Sequence, residues 1–79
     1  MISKKDLKNY EFKTIEDYFS YIIDSFINGN YSQLKKMLSK ELSNNQKVLF
    51  CNWLYNNPMI EEINQKSLLK LMIIYNFEK

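Results

Sequence analysis

The strongest constraint on this chain is a run of apolar residues at helical spacing, closed at both ends by cap signals. Ile15, Tyr18, Phe19, Ile22, Ile23, Phe26 and Ile27 follow the i, i+3, i+4, i+7, i+8 pattern without a miss. Ahead of them, Thr14-Ile15-Glu16-Asp17 has the form of a capping box, in which hydroxyl and carboxylate serve free backbone amides. Glu16 and Asp17 also stand at the positive end of the helix dipole. Behind the run, Asn28-Gly29 supplies a stop, because Gly tolerates the left-handed cap conformation. A helix with one apolar side is stable only against partners, so the rest of the chain must provide them.

The same signals recur. Asn30 with Gln33 opens a second helix, with Tyr31, Leu34, Met37, Leu38 and Leu42 on one side and Ser32, Lys35, Lys36, Ser39 and Lys40 facing away. Ser43-Asn44-Asn45-Gln46 opens a third, running to about Asn56. In it Val48, Leu49, Phe50, Cys51, Trp53, Leu54 and Tyr55 wrap most of the wheel, which predicts a helix largely surrounded by others. Asn57-Pro58 ends that helix and begins the next, since Pro suits the first helical position. Residues 59–77 form one bent helix or two, with a break near Asn64. Upstream, Ser3 with Asp6 caps a short helical turn that Leu7, Tyr10 and Phe12 pin to the core. With one Gly and one Pro, the chain suits regular elements joined by short loops. The expected fold is all-α: a compact bundle of four to five short helices in a single domain, 1–79.

Several chemistries lack their residues. The chain contains no Arg, His or Ala and is rich in Lys, Asn, Ile, Tyr and Phe, a bias that AT-rich codons produce. Without His, the usual general base is missing, and Cys51 has no imidazole partner. Cys51 therefore reads as a small core hydrophobe. Glu61 and Glu62 are adjacent, so on a helix they diverge by about 100° and do not converge on one atom; they read as first-turn acids. One Cys and scattered carboxylates give no metal-ligand spacing, and Asn28-Gly29-Asn30 lacks the glycines of a phosphate loop. No enzyme activity, cofactor or metal is expected. The N-terminal Met1-Ile2-Ser3-Lys4-Lys5-Asp6 has no apolar run behind it, and Leu71-Met72-Ile73-Ile74-Tyr75 is too short to span a bilayer. A lone cysteine fits a reducing cytoplasm.

Binding remains. Tyr21 falls on the polar side of the first strong helix with Asp17, Asp24 and Asn28, and an exposed Tyr among acids suits a protein interface; the plain alternative is that Tyr21 lies over a neighbouring helix. Lys35, Lys36 and Lys40, with Lys47 nearby, form a basic strip that could hold phosphates without reading sequence, or could simply be a solvated face. The absence of Arg and a net charge of only +2 argue against base-specific recognition. The apolar excess of residues 68–77 allows a homo-oligomer.

Glu16-Asp17-Tyr18-Phe19, then Asn28-Gly29-Asn30-Tyr31-Ser32-Gln33, then Leu42-Ser43 with Gln46 and Trp53-Leu54, together resemble small helical proteins of phages and prophages. The likeness spans roughly residues 14–56 and consists of caps, a turn and core positions, so it carries over fold and no active site. It implies a protein that binds host machinery, a host protein or ribonucleoprotein complex, in the host cytoplasm. Anti-CRISPR inhibitors are a well-populated class of such proteins. A charge of +2 does not suit acidic DNA mimicry, which leaves stoichiometric occlusion of a protein surface as the implied mechanism.

Overall fold

Five α-helices and one wide turn make up the computed structural model, which describes residues 2–77. The helices are α1 (Lys4–Asn9), α2 (Ile15–Ile27), α3 (Tyr31–Lys36), α4 (Asn44–Tyr55) and α5 (Glu62–Phe77), and a π-helical turn (Met37–Glu41) continues α3. No strand occurs among the described residues. The protein is an all-α bundle.

Most boundaries follow from caps. At α1 the Ser3 hydroxyl accepts from the Asp6 N–H at 3.1 Å, and the Asp6 carboxylate accepts from the Ser3 N–H at 3.0 Å. At α2 the Asp17 carboxylate accepts from the N–H groups of Lys13 and Thr14 at 2.9 and 3.2 Å. At α4 Ser43 and Gln46 exchange the same pair of bonds. Helix α2 ends in a Schellman motif: Gly29 takes φ 75°, and the N–H groups of Gly29 and Asn30 reach the carbonyls of Phe26 and Ser25. Helix α1 ends the same way, with Glu11 and Phe12 bonding back to Lys8 and Leu7. There the left-handed position belongs to Glu11 at φ 64°, so its Cβ carries strain that Gly would not.

The core gathers one stripe from each longer element. Tyr18, Phe19 and Ile22 of α2 meet Leu34, Met37, Leu38 and Leu42, then Phe50 and Leu54 of α4 and Leu68 and Met72 of α5. Phe19 stands edge-on to Phe50 at 5.2 Å and 5.5 Å from Trp53, giving the interior an aromatic centre. Helices α4 and α5 run antiparallel: Lys47 bonds Asn76, Cys51 Sγ lies 3.8 Å from Met72 Sδ, and Gln65 Nε2 donates to the Leu54 carbonyl at 2.6 Å. Buried Gln65 thereby gives the last turn of α4 a second, shorter bond to a carbonyl that the Asn57 N–H reaches at only 3.4 Å. No buried side-chain N or O among the described residues lacks a partner.

The structure departs from the sequence pattern in several places. Ser39 is buried and does not face away: its hydroxyl donates to the Lys35 carbonyl at 2.6 Å, and Met37, Leu38 and Ser39 are buried in succession. One regular α-helical stripe cannot bury three consecutive residues, and the π turn, closed by Leu42 N–H to Met37 C=O at 3.2 Å, widens the helix to do so. Tyr31 and Ile27, both assigned to apolar stripes, are exposed. Helix α4 is not surrounded: Val48, Leu49 and Tyr55 are more than half exposed, because so short a chain has too few elements to cover every side. Pro58 does not open α5. The Asn57 side chain accepts from the Met59 N–H, and its carbonyl accepts from the Ile60 N–H, so Asn57 to Ile60 is a turn with Pro58 second. Helix α5 starts at Glu62 and is continuous through Asn64.

Gln46 joins the N-terminal segment to this scaffold. Its Oε1 accepts from the Ile2 N–H at 3.1 Å and its Nε2 donates to the Ile2 carbonyl at 2.5 Å, across 44 positions of sequence. Gln46→Ala removes these bonds and half of the α4 cap together, so it is expected to cost about 1–3 kcal/mol. Hydrogen exchange should show faster amide exchange in residues 4–12 than in α5.

Candidate functional site

Among the described residues a large cavity lies where α1, the α1–α2 link and the first half of α4 meet. It is an open groove of about 730 Å³ with Ile2, Leu7, Phe12, Ile15 and Leu49 as its apolar lining. Around these stand Lys4, Lys8 and Lys13, with Glu11 the one carboxylate in the lining. The latch between Gln46 and Ile2 fixes one wall, and the Schellman turn at Glu11 bends the chain so that Leu7 and Phe12 both face the core side of the groove. Leu49, on the wall opposite α1, is 53% exposed, a large apolar side chain only half covered by the rest of the chain.

The electrostatics are one-sided. Lys36 lies 4.0 Å from Glu41, and Lys66 pairs with Glu62 at 3.1 Å. Among the described residues none of Lys4, Lys8 and Lys13 has such a carboxylate partner. Besides Glu11, two nearby acids are otherwise occupied: Asp17 caps α2, and Asp6 is held by Ser3, whose hydrogen bonds keep its carboxyl below the usual range. That hydroxyl and carboxylate form a helix cap. The groove can therefore take up apolar side chains and offer ammonium groups to anions at its edge.

Asp17, Tyr21, Asp24 and Asn28 share one stripe of α2, as their spacing requires. Tyr21, however, is not the exposed residue expected of an interface. It is half-buried, its ring centroid is 5.7 Å from that of Phe12, and its hydroxyl accepts from Gln33 Nε2. Asp17 is spent on capping, and Asp24 and Asn28 are exposed. Lys35, Lys36 and Lys40 do come together, around a hollow of about 240 Å³ shared with Ser32 and Ser39. Lys35 lies over the Tyr75 ring at 5.9 Å and Lys36 beside Glu41, so two of the three ammonium groups have company within the protein. Lys47 is not part of this hollow; it donates to Asn76 Oδ1 at 2.6 Å. Within 68–77, Leu68 and Met72 are core, whereas Ile73, Ile74 and Phe77 face outward.

Other chemistry-bearing groups are integrated into the fold. Burial pushes the Cys51 thiol up, away from thiolate. No cluster of three or more potential metal ligands occurs among the described residues, and no helix there is long and apolar enough to cross a membrane. Tyr18 donates to Glu41 at 2.5 Å, and burial together with that carboxylate pushes its phenol far above the ordinary value. Tyr10, raised chiefly by the Glu41 charge, acts in the same direction. The sign follows from linkage. Above the ordinary phenol value of 10.0 the unfolded chain releases a proton that the folded chain retains, so stability falls as pH rises through that range. Urea midpoints measured between about pH 8.5 and 11 should decline for the native protein and decline less steeply for Tyr18→Phe.

No family model, curated protein or solved structure is detectably similar to this chain.

Proposed function

We propose that this chain is a protein-binding module whose working surface is the groove between α1 and α4. One observation carries this: a large apolar opening on a fixed scaffold, edged by three lysines that form no ion pair among the described residues, against the one carboxylate of Glu11. Such a surface stabilises a complex by excluding water from its floor while its edge selects the partner. The mechanism is stoichiometric occlusion, in which the bound partner surface is no longer open to its own substrate. The resemblance to small phage and prophage proteins supplies the setting, the cytoplasm of a bacterial host, and points to a defence complex of the CRISPR type as the target.

Two measurements test this. Tagged wild-type protein and Leu49→Lys are each used for capture from a bacterial host with active CRISPR immunity. A complex recovered by the first and lost with the second supports the groove, and identical recoveries reject it. Expression in the same host should restore plaque formation by a targeted phage; unchanged immunity removes the CRISPR assignment.

A second contact is favoured by the clustering of Lys35, Lys36 and Lys40 around one hollow. It would retain nucleic acid through phosphates alone. A mobility shift at about 50 mM salt, lost by about 200 mM and lost on changing all three lysines to Gln, is the expected result. No shift at the lower salt rules it out.

A further inference from the structure

We infer that the groove takes an acidic amphipathic helix of another protein; this rests on the docking role proposed above and names the chemistry of its partner. Three observations narrow the occupant. First, recognition by strand addition needs an exposed sheet edge, and the described residues hold no strand. Recognition of an extended proline-rich segment needs a row of aromatic rings, and Phe12 is the only aromatic lining residue. Capture of a phosphorylated segment relies on clustered Arg, which this chain lacks, whereas a helix laid into an apolar groove uses both the floor and the edge, and about 730 Å³ accommodates a few large side chains projecting from one helical face.

Second, the charges ask for carboxylates. Lys4 and Lys8 stand one turn apart on α1, a spacing that matches acids four residues apart on a helix lying alongside. Lys13 adds a third cation on the α1–α2 link, against the single carboxylate of Glu11. A basic partner would meet repulsion from all three lysines, which is the discriminating element in such a contact.

Third, a second copy of this chain does not fit. Its acidic helix is α2, with Glu16, Asp17 and Asp24 exposed, but the apolar residues Tyr18, Phe19 and Ile22 of that helix are already in the core. On its outer side α2 offers Ile27 as its one large exposed apolar residue, short of the several anchors that a helix filling the groove must supply.

The test uses two fluorescein-labelled synthetic helices of the same length, with Leu at positions i, i+3, i+4 and i+7. One carries Glu at all remaining positions near the apolar face and the other carries Lys. Anisotropy titrations against the full chain should show the Glu helix bound about tenfold or more tightly than the Lys helix, the size expected of several exposed ion pairs acting together. Changing Lys4, Lys8 and Lys13 together to Gln should erase that preference, as should raising salt to about 0.5 M. Leu49→Lys should abolish binding of the Glu helix. Equal, Leu49-dependent binding of both helices overturns the acidic assignment while leaving the groove a docking site. Failure of both helices to bind also overturns it, and so does binding to phosphatidylglycerol vesicles alone, which would place lipid in the groove; in either case Leu49-dependent capture of a host complex decides the docking role separately.

Discussion

Phe50→Ala lowers stability by about 3–5 kcal/mol, the range for removing a fully buried aromatic ring. Phe50 is entirely inaccessible and touches both halves of the aromatic centre, with Phe19 edge-on at 5.2 Å and Trp53 stacked at 6.0 Å. Removing the ring deletes its own burial and both ring contacts, and it opens a cavity that three packed helices cannot close. A domain of this length has a total stability of roughly 4–12 kcal/mol, so the loss is a large share of it. The melting temperature should fall by about 15–30 °C, as followed by circular dichroism at 222 nm. Val48→Ala is the matching control on the same helix: Val48 is 60% exposed, and its change should stay within about 0.5 kcal/mol. A Phe50→Ala protein within about 1 kcal/mol of the native one would mean that α4 does not pack through this side.

Leu49→Lys is the reverse case, with a small effect on folding and a large one on function. Leu49 is 53% exposed and lines the groove, so the scaffold does not depend on it and the melting temperature should hardly move. In the complex the same position is expected to be dry. A Lys there must either keep its ammonium in an apolar contact or push the partner away. Central contacts of this kind are worth about 2–4 kcal/mol, which is a loss of binding of about thirtyfold to a thousandfold. Calorimetry of wild type and variant against the captured partner measures it. Unchanged affinity would move the interface off the groove.

These two leucine and phenylalanine neighbours also show where sequence alone is informative. Helix starts were legible because caps are local: Ser3 with Asp6, Thr14 with Asp17 and Ser43 with Gln46 all lie within one turn, and each begins a helix in the structure. The core side of α2 was legible for the same reason, as periodicity reports a face directly. Helix α4 was not, because apolar residues wrap its wheel and only the number of neighbouring elements decides which sides are covered. The π turn depends on what α3 and α5 bury between them. Asn57 holds its turn through a side-chain bond that competes with helix initiation at Pro58. The groove is not legible in the sequence because its walls come from residues more than thirty positions apart. The signal that remained was Leu49, an apolar residue off the core side of its helix, together with Lys4, Leu7 and Lys8 on one short helix.

Where the protein works is open to direct observation by heteronuclear NMR of the ¹⁵N-labelled chain titrated with the Glu-bearing helix. The amides that shift most are expected to be those of Leu7, Phe12, Ile15 and Leu49, with Lys35, Lys36, Lys40 and Phe77 left in place. Shifts centred on the lysine hollow or on the outer side of α5, or a spectrum unchanged at saturating peptide, would contradict a groove that functions by contact.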